Sequence, residues 1–139
     1  KAKKLVNKTY EAMMKGIDVI KADTHLGDIG SAIQQCVEAE GFSVVRDFCG
    51  HGIGQTFHKE PNVLHYGSKG KGIKLTEGMI FTVEPMINSG NYETKTLNDG
   101  WTAVTKDKSL SAQFEHTIFM TETGNEILTK SKENKFFSL

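Results

Sequence analysis

At Gly41 the spacing of apolar residues changes period, and that change limits the chain to helices followed by a sheet. Before it, Ala2, Leu5, Val6, Thr9, Met13 and Ile17 recur near helical spacing, which predicts an amphipathic helix over residues 1–17. Gly16 reads as its end and residues 17–22 as a short connection. Asp23 or Thr24 then caps a second helix running to about residue 40, where Gly41 supplies the stop. Short β-rich segments follow at 43–49, 79–84, 101–105, 114–121 and 126–129, separated by glycine-, asparagine- and lysine-rich turns. Asn98-Asp99-Gly100 and Glu122-Thr123-Gly124-Asn125 read as hairpin turns. Two N-terminal helices followed by a mostly antiparallel sheet define an α+β class. No repeat, low-complexity stretch or linker divides the sequence, and 139 residues suit one domain. Such a length buries roughly two-thirds of its unfolded surface.

Charge removes several function classes. Lysine plus arginine and aspartate plus glutamate balance at 17 each, so no global field draws the chain to nucleic acid or to a membrane surface. No apolar run approaches the ~20 residues that span a bilayer. The N-terminal lysines are not followed by the hydrophobic segment of a secretory signal. Cys36 and Cys49 have neither metal-knuckle nor redox spacing and read as reduced thiols. The expected localisation is cytoplasmic.

Residues with chemistry concentrate in three places. In Cys49-Gly50-His51-Gly52-Ile53-Gly54, three glycines around a histidine leave room for a close approach to the backbone. Phe57-His58 follows, and His58 can face the same cleft across a turn; imidazole suits both divalent metals and proton transfer near neutral pH. Two surface histidines on a glycine-rich turn explain the same string. In Ile80-Phe81-Thr82-Val83-Glu84-Pro85, a strand places Ile80, Thr82 and Glu84 on one face, with Pro85 ending the ladder. That puts a carboxylate at a strand end, which a plain edge charge also explains. In residues 111–118, Gln113, Glu115 and Thr117 share one face, and Phe114, His116 and Ile118 the other. A glutamate in a half-apolar strand needs a basic partner or a metal if its face is buried, and the strand itself holds no lysine or arginine. His116 reads as a packing residue or as a support behind the ligands.

One histidine and two glutamates at strand ends make a ligand set suited to manganese, iron, cobalt or zinc. Gly50-His51-Gly52-Ile53-Gly54, Phe57-His58, Phe81-Thr82-Val83-Glu84-Pro85-Met86, Gly100-Trp101-Thr102 and Ser109-Leu110-Ser111-Ala112-Gln113-Phe114-Glu115-His116-Thr117 together resemble type I methionine aminopeptidases. The resemblance runs over nearly the whole chain and includes Gly41-Phe42-Ser43-Val44-Val45 and Leu64-His65-Tyr66. The glycine–histidine element also has relatives in aminopeptidase P and prolidase; the stretch ending in Glu115-His116-Thr117 is far more specific.

The resemblance implies half of a pita-bread fold and a hydrolase that removes N-terminal methionine from nascent polypeptides with two divalent metal ions (Co, Mn, Fe or Zn). It implies His51, Glu84 and Glu115 as metal ligands, Glu115 bridging both ions and Glu84 also transferring protons. His58 matches the histidine at the scissile amide, and Phe57 and Trp101 match residues lining the methionine pocket. The family site also takes two aspartates and a histidine from an N-terminal half; Asp18, Asp23 and Asp28 stand in the wrong elements to replace them. Together with a helix that starts at Lys1, this predicts that residues 1–139 are the C-terminal part of one catalytic domain whose N-terminal part is absent. Such a chain would hold at most one ion weakly and be inactive or weakly active alone. Its expected partners are N-terminal methionines and the missing half, with no nucleic acid and no membrane. Two other readings are a non-catalytic pita-bread module that binds peptides or proteins, and a peptidase of the same fold acting at X-Pro bonds. The Trp101 region and the Gln113-Phe114-Glu115-His116 context argue against the second.

Overall fold

The structure is a computed structural model that describes residues 1–132. It opens with α1 (Ala2–Asp18) and α2 (Leu26–Glu38). The buried stripe of α1 is Leu5, Thr9, Ala12, Met13, Gly16 and Ile17, narrower than the sequence pattern because Ala2 is exposed and Val6 half-buried. Gly16 does not end this helix. A Cβ there would sit 2.7 Å from Ile33 Cγ1, so the missing side chain lets α1 and α2 approach closely, and the helix runs on to Asp18. Neither Asp23 nor Thr24 caps α2. The cap is His25, whose N–H donates to the Asp28 carboxylate at 2.9 Å. Thr24 fastens the preceding turn, accepting the Lys21 N–H (3.0 Å) and donating to the Val19 carbonyl (2.9 Å). Gly41, at φ 74°, turns the chain after α2 as expected.

The sheet part begins with β1 (Ser43–Val44), β2 (Gly50–Gly52) and β3 (Lys59–Val63). It continues with β4 (Ile80–Val83), β5 (Met86–Asn88), β6 (Thr94–Thr96) and β7 (Ala103–Thr105). β8 (Ser111–Gln113), β9 (His116–Met120) and β10 (Asn125–Ile127) complete it. All pairings are antiparallel, in a five-stranded sheet of order β10-β9-β4-β2-β3, a three-stranded sheet β1-β5-β8 and the hairpin β6-β7. Phe81, Val83, Ile118 and Met120 from the large sheet form one core with Leu5, Met13 and Ile17 of α1 and Ile29, Ile33 and Val37 of α2. Each such side chain contributes roughly 1.5–3 kcal/mol on burial, so this core ties the helices to the strands that carry the site. No helix among the described residues is long and apolar enough to cross a membrane.

One junction positions the site. β4 pairs with β9 through Val83 and His116, and β5 pairs with β8 through Met86 and Gln113. The register is the same on both sides, so Glu84-Pro85 and Phe114-Glu115 are the two steps by which paired strands leave one sheet and enter the other. The strand expected over 114–121 is β9, which starts at His116, and the alternation read through 111–118 is broken at Phe114-Glu115, between β8 and β9.

Candidate metal centre

His51 is held between two close neighbours. A Cβ at Gly50 would lie 2.3 Å from the Thr82 carbonyl oxygen, and one at Gly52 would lie 2.4 Å from that of Glu60. Glycine on each side thus lets β4 and β3 approach the histidine's backbone. The His51 N–H donates to Thr82 Oγ1 at 2.9 Å. Its ring Nδ1 lies 3.0 Å from the Gly52 carbonyl, which can only accept, so Nδ1 carries the proton. Nε2 is left with a free lone pair, 3.6 Å from Glu84 Oε1.

The two glutamates meet because of the junction. With the register unbroken, Glu84 stands opposite Glu115, and directly opposed residues share a face. Thr82, buried on the same face as Glu84, donates its hydroxyl proton to Glu84 Oε1 at 2.7 Å. Gln113 Nε2 donates to the Glu84 carbonyl at 3.1 Å and approaches its Oε2 at 3.4 Å. The Glu84 N–H donates to Nε2 of His65 at 3.0 Å. His65 is 2% exposed, and burial pushes its imidazole down to about 3, so the ring is neutral and able to accept. Burial also pushes the Glu84 carboxyl above its ordinary value; the Thr82 hydroxyl opposes this and the facing Glu115 carboxylate adds to it.

One donor atom each from His51, Glu84 and Glu115 converge to within 4.8 Å of one another. Two carboxylates pressed together beside an imidazole whose proton sits on the far nitrogen offer two anionic oxygens and a lone pair to a shared cation. This donor set fits a divalent metal of the manganese-to-zinc series. The cleft above it, about 460 Å³, is lined by Cys49, His51, His58, Asn62, Glu84 and Met86 among others. A larger hollow of about 610 Å³ lies against α2 and the turn that precedes it, and contains none of these residues.

His58 and Phe57 lie beside His51. The His51 and His58 ring centroids are 4.2 Å apart, Phe57 is 4.5 Å from His58 and 5.2 Å from His51, and both residues are exposed. Trp101 is not brought in: it is 90% exposed in the turn between β6 and β7, whose shape Asp99 fixes by accepting the Trp101 and Thr102 N–H groups. His116 faces away from the pair of glutamates, its Nδ1 2.7 Å from Thr129 Oγ1. Phe114 instead packs edge-on against Tyr10 of α1, at 5.4 Å. Sequence reasoning missed His65 and the holding roles of Thr82 and Gln113. Strand alternation had already put Thr82 beside Glu84 and Gln113 beside Glu115, whereas His65, past the end of β3, carries no periodic signal.

A family model described as Metallopeptidase family M24 matches residues 1–122. The chain belongs to metallopeptidase family M24. Within that family it is similar to methionine aminopeptidases. It is 61% identical over 128 residues to methionine aminopeptidase B of Synechocystis sp., covering 92% of this chain and 47% of that protein. It is 55% identical over 126 residues to the methionine aminopeptidase of Escherichia coli, covering 91% and 48%. The crystal structure of methionine aminopeptidase from Rickettsia prowazekii superposes with a TM-score of 0.89 at 59% identity, over 91% of this chain and 52% of that one. The Thermotoga maritima enzyme superposes with a TM-score of 0.90 at 47% identity, over 93% and 52%. The chain thus spans about half the length of the relatives it matches and adopts the α+β pita-bread fold over that span. A prolidase from Pyrococcus horikoshii, at 24% identity and a TM-score of 0.67, shares the fold alone.

Proposed function

We propose that this chain supplies half of the active site of a methionine aminopeptidase, with His51, Glu84 and Glu115 as ligands of a divalent metal. The observation that carries the reading is the convergence of these three side chains at the junction of two sheets. A metal held there supplies Lewis-acid activation of a scissile carbonyl and of water near neutral pH. His51 presents Nε2 because its Nδ1–H is committed to Gly52. Thr82 orients Oε1 of Glu84, and Oε2, approached only at 3.4 Å by Gln113, is the oxygen that takes or passes a proton in the cleft. His58, its ring tilted beside that of His51 and open to the cleft, can donate a ring N–H to the substrate amide. Phe57 offers an apolar face beside it for a flexible thioether side chain; Trp101, exposed in the β6-β7 turn, is assigned to that pocket by the family resemblance alone.

The remaining ligands, two aspartates that complete the site for a second ion, are assigned to the half of the relatives that this chain does not span. The chain alone then holds at most one ion, weakly, and has little activity. Nascent chains starting with methionine are the substrates, and the cytoplasm is the site of action. The test is hydrolysis of a Met-Ala and an Ala-Pro peptide by a protein spanning the relatives' full length, with and without Glu115→Gln. Cleavage after methionine that the substitution abolishes is the expected result. Preference for Ala-Pro would indicate an X-Pro peptidase, and no cleavage of either peptide in the presence of metal would indicate a binding module.

A further inference from the structure

We propose that His65 is a positioning residue: its Nε2 takes the backbone N–H of Glu84 and fixes that glutamate at the break between the two sheets. The proposal rests on the metal-centre reading and adds to it the part that aims one of the carboxylates.

The need for such a residue follows from the junction. Val83 is the last residue of β4 paired in the large sheet, and Met86 opens the pairing in the small one. Between them Pro85 has no N–H, so Glu84 carries the only amide donor of this step. It lies outside both ladders, and a half-buried backbone donor must find a partner elsewhere. His65 arrives from beyond β3, the far edge of the large sheet, and meets it at 3.0 Å. Because the approaching group is a donor, Nε2 must be the bare ring nitrogen and Nδ1 the protonated one. Gln113 takes the carbonyl side of the same residue at 3.1 Å, and Thr82 takes its carboxylate at 2.7 Å. Glu84 is thus held at its N–H, its C=O and its side chain. Thr82 stands on β4 and Gln113 on β8, so of the three holders only His65 comes from outside the strands that meet at the junction. Without an acceptor there, the peptide is free to rotate and carry the carboxylate away from His51.

Three measurements on the full chain test this. In the unsubstituted protein, ¹⁵N chemical shifts of the His65 ring should show Nδ1 protonated and Nε2 bare; the opposite tautomer overturns the proposal. His65→Leu fills the space without an acceptor. It should weaken Co²⁺ binding by about 10–100-fold, as loss of a ligand's supporting contact does elsewhere, and remove the hydrogen-exchange protection of the Glu84 amide. His65→Gln, whose Oε1 can reach the same N–H, should restore both. The proposal fails if His65→Leu binds Co²⁺ with parental affinity and absorption spectrum, or if His65→Gln is as impaired as His65→Leu. If His65→Leu does not fold, the parental tautomer and the His65→Gln variant decide. If the parent binds no Co²⁺, the metal-centre reading falls, while tautomer and amide exchange still decide whether His65 holds Glu84.

Discussion

Glu115 is the residue at which function and stability pull in opposite directions. It stands across from Glu84 with no strand hydrogen bond between them, and two like charges directly opposed across an antiparallel pair destabilise a fold. Glu115→Gln should therefore leave the metal-free protein as stable as the parent, or more stable by about 0.2–1 kcal/mol. The same substitution should abolish the rise in melting temperature on adding Mn²⁺. Thermal melts in chelator and in excess metal read both effects. A loss of stability in chelator would mean that Glu115 has a structural partner instead. This residue was legible in the sequence because a glutamate in a half-apolar strand demands an explanation. His65 was not, because a histidine past the end of a strand looks the same whether it faces water or takes a buried N–H. Its role depends on where Pro85 breaks a ladder 20 residues later.

Among the elements, the helices were easier to read than the strands, and the reason is length. Thirteen residues or more of period 3.6 identify α1 and α2, but β5, β6 and β8 have three residues each and β1 two, too few for alternation to register. β3 contains Pro61 and three exposed polar residues, Lys59, Glu60 and Asn62, as suits an edge strand. Glycine misled at Gly16, where close helix packing and not a terminus is the cause. Gly16→Ala should gain up to about 1 kcal/mol in helix propensity and lose about 1–3 kcal/mol by overpacking against Ile33, a net destabilisation. Urea unfolding of Gly16→Ala, Ile33→Ala and the double variant checks this. The account predicts a double variant less destabilised than the sum, by at least ~0.5 kcal/mol; strict additivity would contradict it. The β6-β7 hairpin depends on Asp107, which accepts the N–H groups of Asn91 (2.8 Å) and Ser109 (2.9 Å). The Ser109 hydroxyl and these two amides hold its carboxyl down to about 2 from the ordinary 3.8. A depressed carboxylate lends stability above about pH 4 that is lost as pH falls towards 2. Asp107→Asn should therefore lower the urea midpoint at pH 6 and shrink the drop between pH 4 and pH 2. An unchanged drop would show that Asp107 does not anchor the hairpin.

For the whole molecule, the central consequence of the fold is that its proposed metal ligands come from three strands brought together at one junction. β2 contributes His51, the step after β4 contributes Glu84, and the step before β9 contributes Glu115. The core of α1, α2 and the large sheet holds these strands in register, and the close approach at Gly50 and Gly52 lets β2 lie between β3 and β4. Half the length of the methionine aminopeptidases is enough to form this constellation, whose ligand set is completed, in the reading proposed here, by the other half. Equilibrium dialysis of the chain against Mn²⁺ or Co²⁺ tests that claim most directly. The account predicts that a single ion binds weakly, that Glu115→Gln abolishes binding, and that Glu126→Gln, on β10, leaves it intact. No binding at millimolar metal, or binding that survives Glu115→Gln unchanged, would contradict it.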